Sequence, residues 1–124
     1  MAGLSASTPI PTEIEIRSQS KVIEIAFSNG DKFSYPFEFL RVNSPSAEVQ
    51  GHGPGQEVLQ VGKRNIAIKE VEPVGNYAIK PHFDDGHNTG IYSWDYLHKI
   101  GTHQAQLWAE YLARMEKANA SRDK

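Results

Sequence analysis

The chain has 124 residues, 39% of them hydrophobic, and a formal net charge of −2, which together predict one domain able to bury a core without covalent staples. It has no cysteine, and that excludes disulfides, thiolate metal ligands and a cysteine nucleophile at once. Acids and bases are mixed, with no basic stripe, no apolar run of membrane length and no secretory signal, so the sequence predicts a cytoplasmic protein that binds neither nucleic acid nor membrane.

Residues 1–11 are small, polar and proline-containing, and read as a disordered tail. Glu13-Ile14-Glu15-Ile16-Arg17 alternates charge with Ile, the pattern of a half-buried strand. After a turn at 18–20, Lys21 to Phe27 puts Ile23, Ile25 and Phe27 on one face of a second strand. Asn29-Gly30 reads as a tight hairpin turn with both residues at positive φ, and Lys32 to Tyr35 returns as a third strand. Pro36 opens a short helix from Phe37 to Val42.

Arg41 to Gln56 is the long irregular stretch of the chain. Ser44 is placed to cap a turn that begins at Pro45, with Glu48 at its positive end and Gly51 closing it. His52-Gly53-Pro54-Gly55 cannot be regular structure. Val58 to Val61 reads as a brief strand or coil, and Gly62 to Asn65 as a turn. Ile66 to Val74 is a strand, and Tyr77 to Phe83 another, with Tyr77, Ile79 and Phe83 inward. Pro81 cannot donate to a ladder, so this strand lies at an edge or turns its amide outward there. Asp85-Gly86 is a second hairpin turn, and His87 to Tyr92 returns. Ser93 caps a helix from Trp94 to Ile100, which Gly101 stops. Thr102 caps the last helix, to about residue 118, whose stripe of Leu107, Trp108, Tyr111, Leu112 and Met115 is predicted to dock on the sheet. Ser121 onward reads as frayed.

The two halves echo each other. Phe27-Ser28-Asn29-Gly30, a returning strand and Phe39-Leu40 match Phe83-Asp84-Asp85-Gly86, a returning strand and Tyr96-Leu97. The fold class is therefore α+β, with mainly antiparallel strands in two hairpin-plus-short-helix units sharing one core, and a C-terminal amphipathic helix.

Catalytic signatures are sparse. The carboxylates are scattered, mostly on strands, and no serine sits in a nucleophile elbow. Gly51-His52-Gly53-Pro54-Gly55 lacks the ending of a phosphate-binding loop, and reads as a structural turn or a recognition loop formed with Arg41 and Asn43. His82-Phe83-Asp84 spells the first two ligands of a non-haem iron triad, with His98 or His103 as the third, but the strands of a surrounding jelly roll are not there.

Three stretches carry a resemblance. They are Phe39-Leu40-Arg41-Val42-Asn43-Ser44-Pro45-Ser46-Ala47-Glu48, then Gly51-His52-Gly53-Pro54-Gly55-Gln56, and Val71-Glu72-Pro73-Val74-Gly75-Asn76-Tyr77 continuing to Asp84-Asp85-Gly86-His87 and Gly90-Ile91-Tyr92-Ser93-Trp94-Asp95-Tyr96-Leu97. Together they resemble the gamma-butyrobetaine hydroxylase-like N-terminal domain, as a small stand-alone bacterial-type member. The resemblance spans residues 12–101, leaving 1–11 as a tail, 102–118 as an accessory helix and 119–124 as a second tail. In the dioxygenases that name the family, this domain precedes a separate catalytic jelly roll, which the resemblance does not cover, so no oxygenase activity is implied. Their domain holds a structural zinc through three cysteines, in a Cys-Pro-Cys-x-x-Cys run after Leu-Arg-x-Asn, and one histidine. The cysteine places here hold Ser44, Ser46 and Val49, and the histidine matches His87.

The resemblance thus implies a remnant of a zinc site, with no metal and no cofactor expected. Similar domains are also fused to Mrp-like iron–sulfur carrier ATPases. The function expected is a non-catalytic binding or adaptor module whose partner is a protein of iron–sulfur assembly or oxygenase machinery. Two alternatives stand beside it. One is a residual metal module using His87 with Asp84, Asp85 or His52. The other is a small enzyme with its site at the Gly51–Gln56 loop.

Overall fold

The computed structural model describes residues 8–51, 53 and 55–123. The first sheet is an antiparallel meander of β1 (Pro11–Arg17), β2 (Val22–Phe27) and β3 (Lys32–Pro36), in that order. Two short helices follow, α1 (Phe37–Val42) and α2 (Ala47–Gln50). The second antiparallel sheet has β4 (Ile68–Val74), β5 (Ala78–Phe83) and β6 (Tyr92–Ser93), again in order. Helices α3 (Trp94–Thr102) and α4 (Gln104–Lys117) end the chain. The α+β class read from the sequence holds.

Both hairpins feed one core. Ile23, Ile25, Phe27 and Tyr35 from the first unit pack with Ile79, Phe83 and Tyr92 from the second, under Phe37, Leu40 and Leu97 from the helices. Tyr77, expected inside, is half-buried, and Ala78 is buried in its place.

The two turns are near-copies. The amide of Gly30 donates to the Phe27 carbonyl at 3.0 Å and that of Gly86 to Phe83 at 3.1 Å. The amides of Phe27 and Phe83 donate across to the carbonyls of Asp31 and His87 at 2.8 and 3.0 Å. Each loop is thus three residues long, and only its glycine has positive φ, at 93° and 90°. Asn29 and Asp85 do not take positive φ, as a two-residue turn would require. Their side chains work instead, accepting from the amides of Asp31 and His87 at 3.0 and 3.1 Å. The units also grip each other reciprocally. The Tyr35 hydroxyl donates to the Leu97 carbonyl at 2.6 Å, and the Tyr92 hydroxyl donates to Leu40 at 2.5 Å.

Several local readings are corrected. Pro81 lies on the central strand, but β6 pairs only with Ala78 and Ile79, so β5 has no neighbour on that side at Pro81. His87 to Ile91 is irregular, and the return strand shrinks to two residues. Ser46 rather than Ser44 caps α2, accepting from the Glu48 amide at 3.2 Å. Gly101 lies inside α3 and does not stop it. Thr102 caps nothing, and its hydroxyl donates to the His98 carbonyl within the helix at 2.8 Å.

Helix α4 docks on α1 and the 58–61 segment, not on a sheet. Tyr111 and Met115 pack against Val42 and Leu59, and Trp108 lies against Phe39. Leu112 stays 38% exposed. Residues 121–123 are tied down too. The Gly62 and Arg64 amides donate to the carbonyls of Ser121 and Arg122, each at 3.0 Å.

Candidate functional site

The turn at Asp85-Gly86 delivers His87 into the protein, where it is 6% exposed. Its Nε2 shares a 2.9 Å hydrogen bond with Ser44 Oγ, a side chain with no exposed surface. Ser44 Oγ also accepts from the Ser46 amide at 3.3 Å. His87 Nδ1 lies 3.7 Å from the Glu48 carboxylate. In a neutral ring Nε2 can accept from Ser44, while Nδ1 stands too far from Glu48 for a hydrogen bond and meets it only electrostatically. Burial, first, and the Arg41 charge, second, push the imidazole below its ordinary pKa, against the pull of Glu48 and Asp85.

A second chain of bonds runs alongside. Ser46 Oγ lies 2.7 Å from Thr89 Oγ1, and Thr89 in turn donates to the Glu48 carboxylate. Gln50 Nε2 donates to the Ser44 carbonyl at 2.8 Å. Val49 is 3% exposed and packs as a core residue. Gly90 makes room for the cluster, since a Cβ there would stand 2.4 Å from Ser44 Oγ.

One layer behind sits a charge cluster. Asp85 Oδ2 accepts from Arg41 Nε at 2.9 Å and from Lys63 Nζ at 2.6 Å. Burial raises the Asp85 pKa, but bonds from Lys63, the His87 amide and Arg41 outweigh it and bring the group down to about 2. Arg41 Nη1 is buried with no protein partner. The counterpart of Arg41 in the second unit is His98, whose Nε2 lies 2.8 Å from Asp31 Oδ2 in the first. Each helix thus sends one cationic or imidazole side chain to the turn of the opposite unit.

Ser44, Ser46 and His87 therefore meet in one place, while Val49 is buried on α2 and lines the neighbouring groove. The recognition-loop residues do not. Arg41 is committed to Asp85, and Asn43 is engaged through its side chain and its backbone, its Nδ2 donating to the Phe39 carbonyl at 3.0 Å and its backbone carbonyl accepting from the Tyr96 hydroxyl at 2.5 Å. Gly53 and Gly55 lie in the loop, where the Gln56 amide donates to the Gly53 carbonyl at 3.1 Å. His52 lies outside the described residues. The iron-triad reading also falls apart in space. His82 pairs with Glu72 at 2.9 Å, Asp84 accepts from the Ala67 amide at 3.1 Å, His98 binds Asp31 and His103 heads α4. Among the described residues no group of three His, Cys, Asp or Glu side chains is arranged to hold a metal ion.

Sequence reasoning missed Thr89, Glu48 and Lys63 as partners. Arg41 carried a signal, because the internal echo aligns it with His98, each following its leucine by one position. Beside the cluster an open groove of about 580 Å³ is lined by Val42, Val49, Val58 and Leu107 and rimmed by Glu57 and Arg114.

Two hairpin-plus-helix units gripping each other, with a serine–histidine cluster between them, define a small α+β module of a recognisable kind. The chain belongs to the gamma-butyrobetaine hydroxylase-like N-terminal family, whose model matches residues 14–98. Two NMR solution structures are similar over almost the whole chain. One is 49% identical with a TM-score of 0.81, covering 94% of this chain and 92% of its own. The other is 48% identical with a TM-score of 0.80, covering 97% and 91%. A crystal structure of a protein of unknown function of the DUF971 family from Acidithiobacillus ferrooxidans is 37% identical, with a TM-score of 0.61, covering 76% of this chain and 92% of its own. No curated protein matches the chain.

Proposed function

We propose that this protein is a non-catalytic binding module that docks on a protein partner, a component of iron–sulfur assembly or oxygenase machinery. The observation that carries the reading is apolar surface left in water at two places. Ile10, just before β1, and Ile14 and Ile16 on it are 46, 37 and 44% exposed, and Val58 and Val61 follow the central loop at 52 and 48%. The class of partner comes from the resemblance alone, through the domains that accompany this one elsewhere. Affinity capture from a host extract, with the intact chain as bait and mass spectrometry as readout, tests it. Enrichment of an iron–sulfur carrier ATPase or an oxygenase component over a bait-free control is expected. Extracts that yield no enriched protein overturn it.

The clustering of His87, Ser44 and Glu48 favours a second reading, a residual metal module. We weigh it below the first on donor chemistry. Neutral hydroxyls are poor zinc ligands, Val49 has no donor atom, and Nε2 of His87 is engaged with Ser44. The domain is therefore expected to fold without zinc. A thermal melt with and without a strong chelator should coincide, and elemental analysis should find no stoichiometric zinc. A large fall in Tm with chelator would favour the metal reading instead.

A further inference from the structure

We infer that the open edge of β1 receives an extended strand of the partner, one whose branched apolar side chains alternate with lysine or arginine. This rests on the binding-module reading and specifies where and what that module binds. Among the described residues β1 pairs with β2 alone and forms one edge of its sheet. Ile14 stands opposite Ile25 and Ile16 opposite Ile23, so all four point to the same face. Ile23 and Ile25 have no exposed surface, whereas Ile14 and Ile16 are 37 and 44% exposed. The core face therefore continues one strand beyond the core. Edge strands left free are usually guarded by a proline, a bulge, charged side chains or an inward-pointing charge, and β1 carries a proline at its start and charge only on its outward face. The irregularity in β1 is confined to its start, between Pro11 and Glu13, and its positions opposite the buried Phe27, Ile25 and Ile23 are Pro11, Ile14 and Ile16, none of them charged.

The opposite face carries the selectivity. Glu13, Glu15 and Glu24 outnumber the cations of this face, which are Arg17, bonding Glu15 at 3.2 Å and Glu24 at 3.1 Å, and Lys32 on β3. That excess of carboxylate argues against a second copy of the chain. Antiparallel self-pairing centred on Glu15 sets that carboxylate against itself, and centring on Ile14 sets Glu13 against Glu15. Centring on Ile16 runs the strand into the turn after Arg17. A foreign strand about 4.8 Å away places its apolar residues beside Ile14 and Ile16 and its cations beside Glu13 and Glu15.

The test uses a capped nine-residue peptide of alternating Lys and Val, titrated into the isotopically labelled intact chain. Expected are amide shifts and slowed exchange confined to residues 12–17 and their β2 neighbours. The matching Glu–Val peptide and a scrambled Lys/Val peptide should not give them. Glu13→Lys with Glu15→Lys should weaken binding at least about tenfold, since each reversal replaces an attractive cross-strand pair with a repulsive one. Both sites are exposed, and an unchanged thermal melt would confirm that the variant is folded. Shifts elsewhere, equal binding of the scrambled peptide, or self-association through β1 would overturn the inference. In the capture experiment, Ile14→Lys with Ile16→Lys should lose the partner. Equal recovery by that variant would leave the binding reading standing and remove β1 as its site.

Discussion

His87 is a buried imidazole that its surroundings keep neutral. With its folded pKa pushed below the ordinary 6.5 by burial and then by Arg41, the unfolded chain takes up the proton first as pH falls. Its contribution to stability is fully present above that ordinary value and is lost as pH drops below it. The urea midpoint should therefore fall between about pH 7 and about pH 5 by an increment that His87→Gln lacks. Asp85 acts in the same direction at lower pH, between the ordinary 3.8 and about 2. Identical slopes in wild type and His87→Gln would remove His87 as the source. The meeting of His87 with Ser44 was legible only through the resemblance, since 43 residues separate them. The division of labour between Ser44 and Ser46 was not legible at all. Both can cap, and burial decided: Ser44 turned inward to the imidazole and left the cap to Ser46.

Gly101 shows what an element-level reading gains from packing. By composition it stops α3, yet the helix runs one residue past it. The structural need lies sideways: a Cβ there would stand 2.6 Å from the Phe33 ring and 2.7 Å from the Tyr35 hydroxyl. That hydroxyl is fixed by its bond to Leu97 and cannot retreat cheaply. Helix propensity alone makes Gly→Ala favourable by up to about 1 kcal/mol. We expect Gly101→Ala to destabilise instead, by about 1–3 kcal/mol, through overpacking. Denaturant unfolding checks the sign, and a stabilised variant would refute it. The strands were legible because alternation and turn residues agree, as in Ile23, Ile25 and Phe27 before Asn29-Gly30. The same alternation misread β1. Period two reports that residues alternate between faces, and cannot report whether anything lies on the inward one.

At the scale of the whole molecule, the C-terminal segment acts as a strap. Its composition reads as frayed, and no local pattern could reveal otherwise, because its partners lie 84 and 59 residues back. Arg122 clamps Glu38 with two bonds of 2.8 and 2.6 Å while stacking 5.1 Å over Trp108. Glu38 is on α1, which also carries Leu40 and Arg41 and leads into the serine segment. Arg64 adds a 2.6 Å pair with Asp123, although both are exposed and the pair contributes little. Only 8% of the Glu38 side chain is exposed, so removing Arg122 strands a carboxylate in a largely dry site. Arg122→Ala should cost about 2 kcal/mol, below the range for a fully buried pair because the Arg122 side chain keeps 27% of its surface in water. The double variant Glu38→Leu/Arg122→Leu should recover much of that loss, since it leaves no orphaned charge and adds apolar cover beside Trp108. Urea unfolding of Glu38→Leu, Arg122→Leu and the double variant closes the cycle. Additive losses would mean that the strap is held by its backbone bonds to Gly62 and Arg64, and that the ion pair contributes nothing of its own.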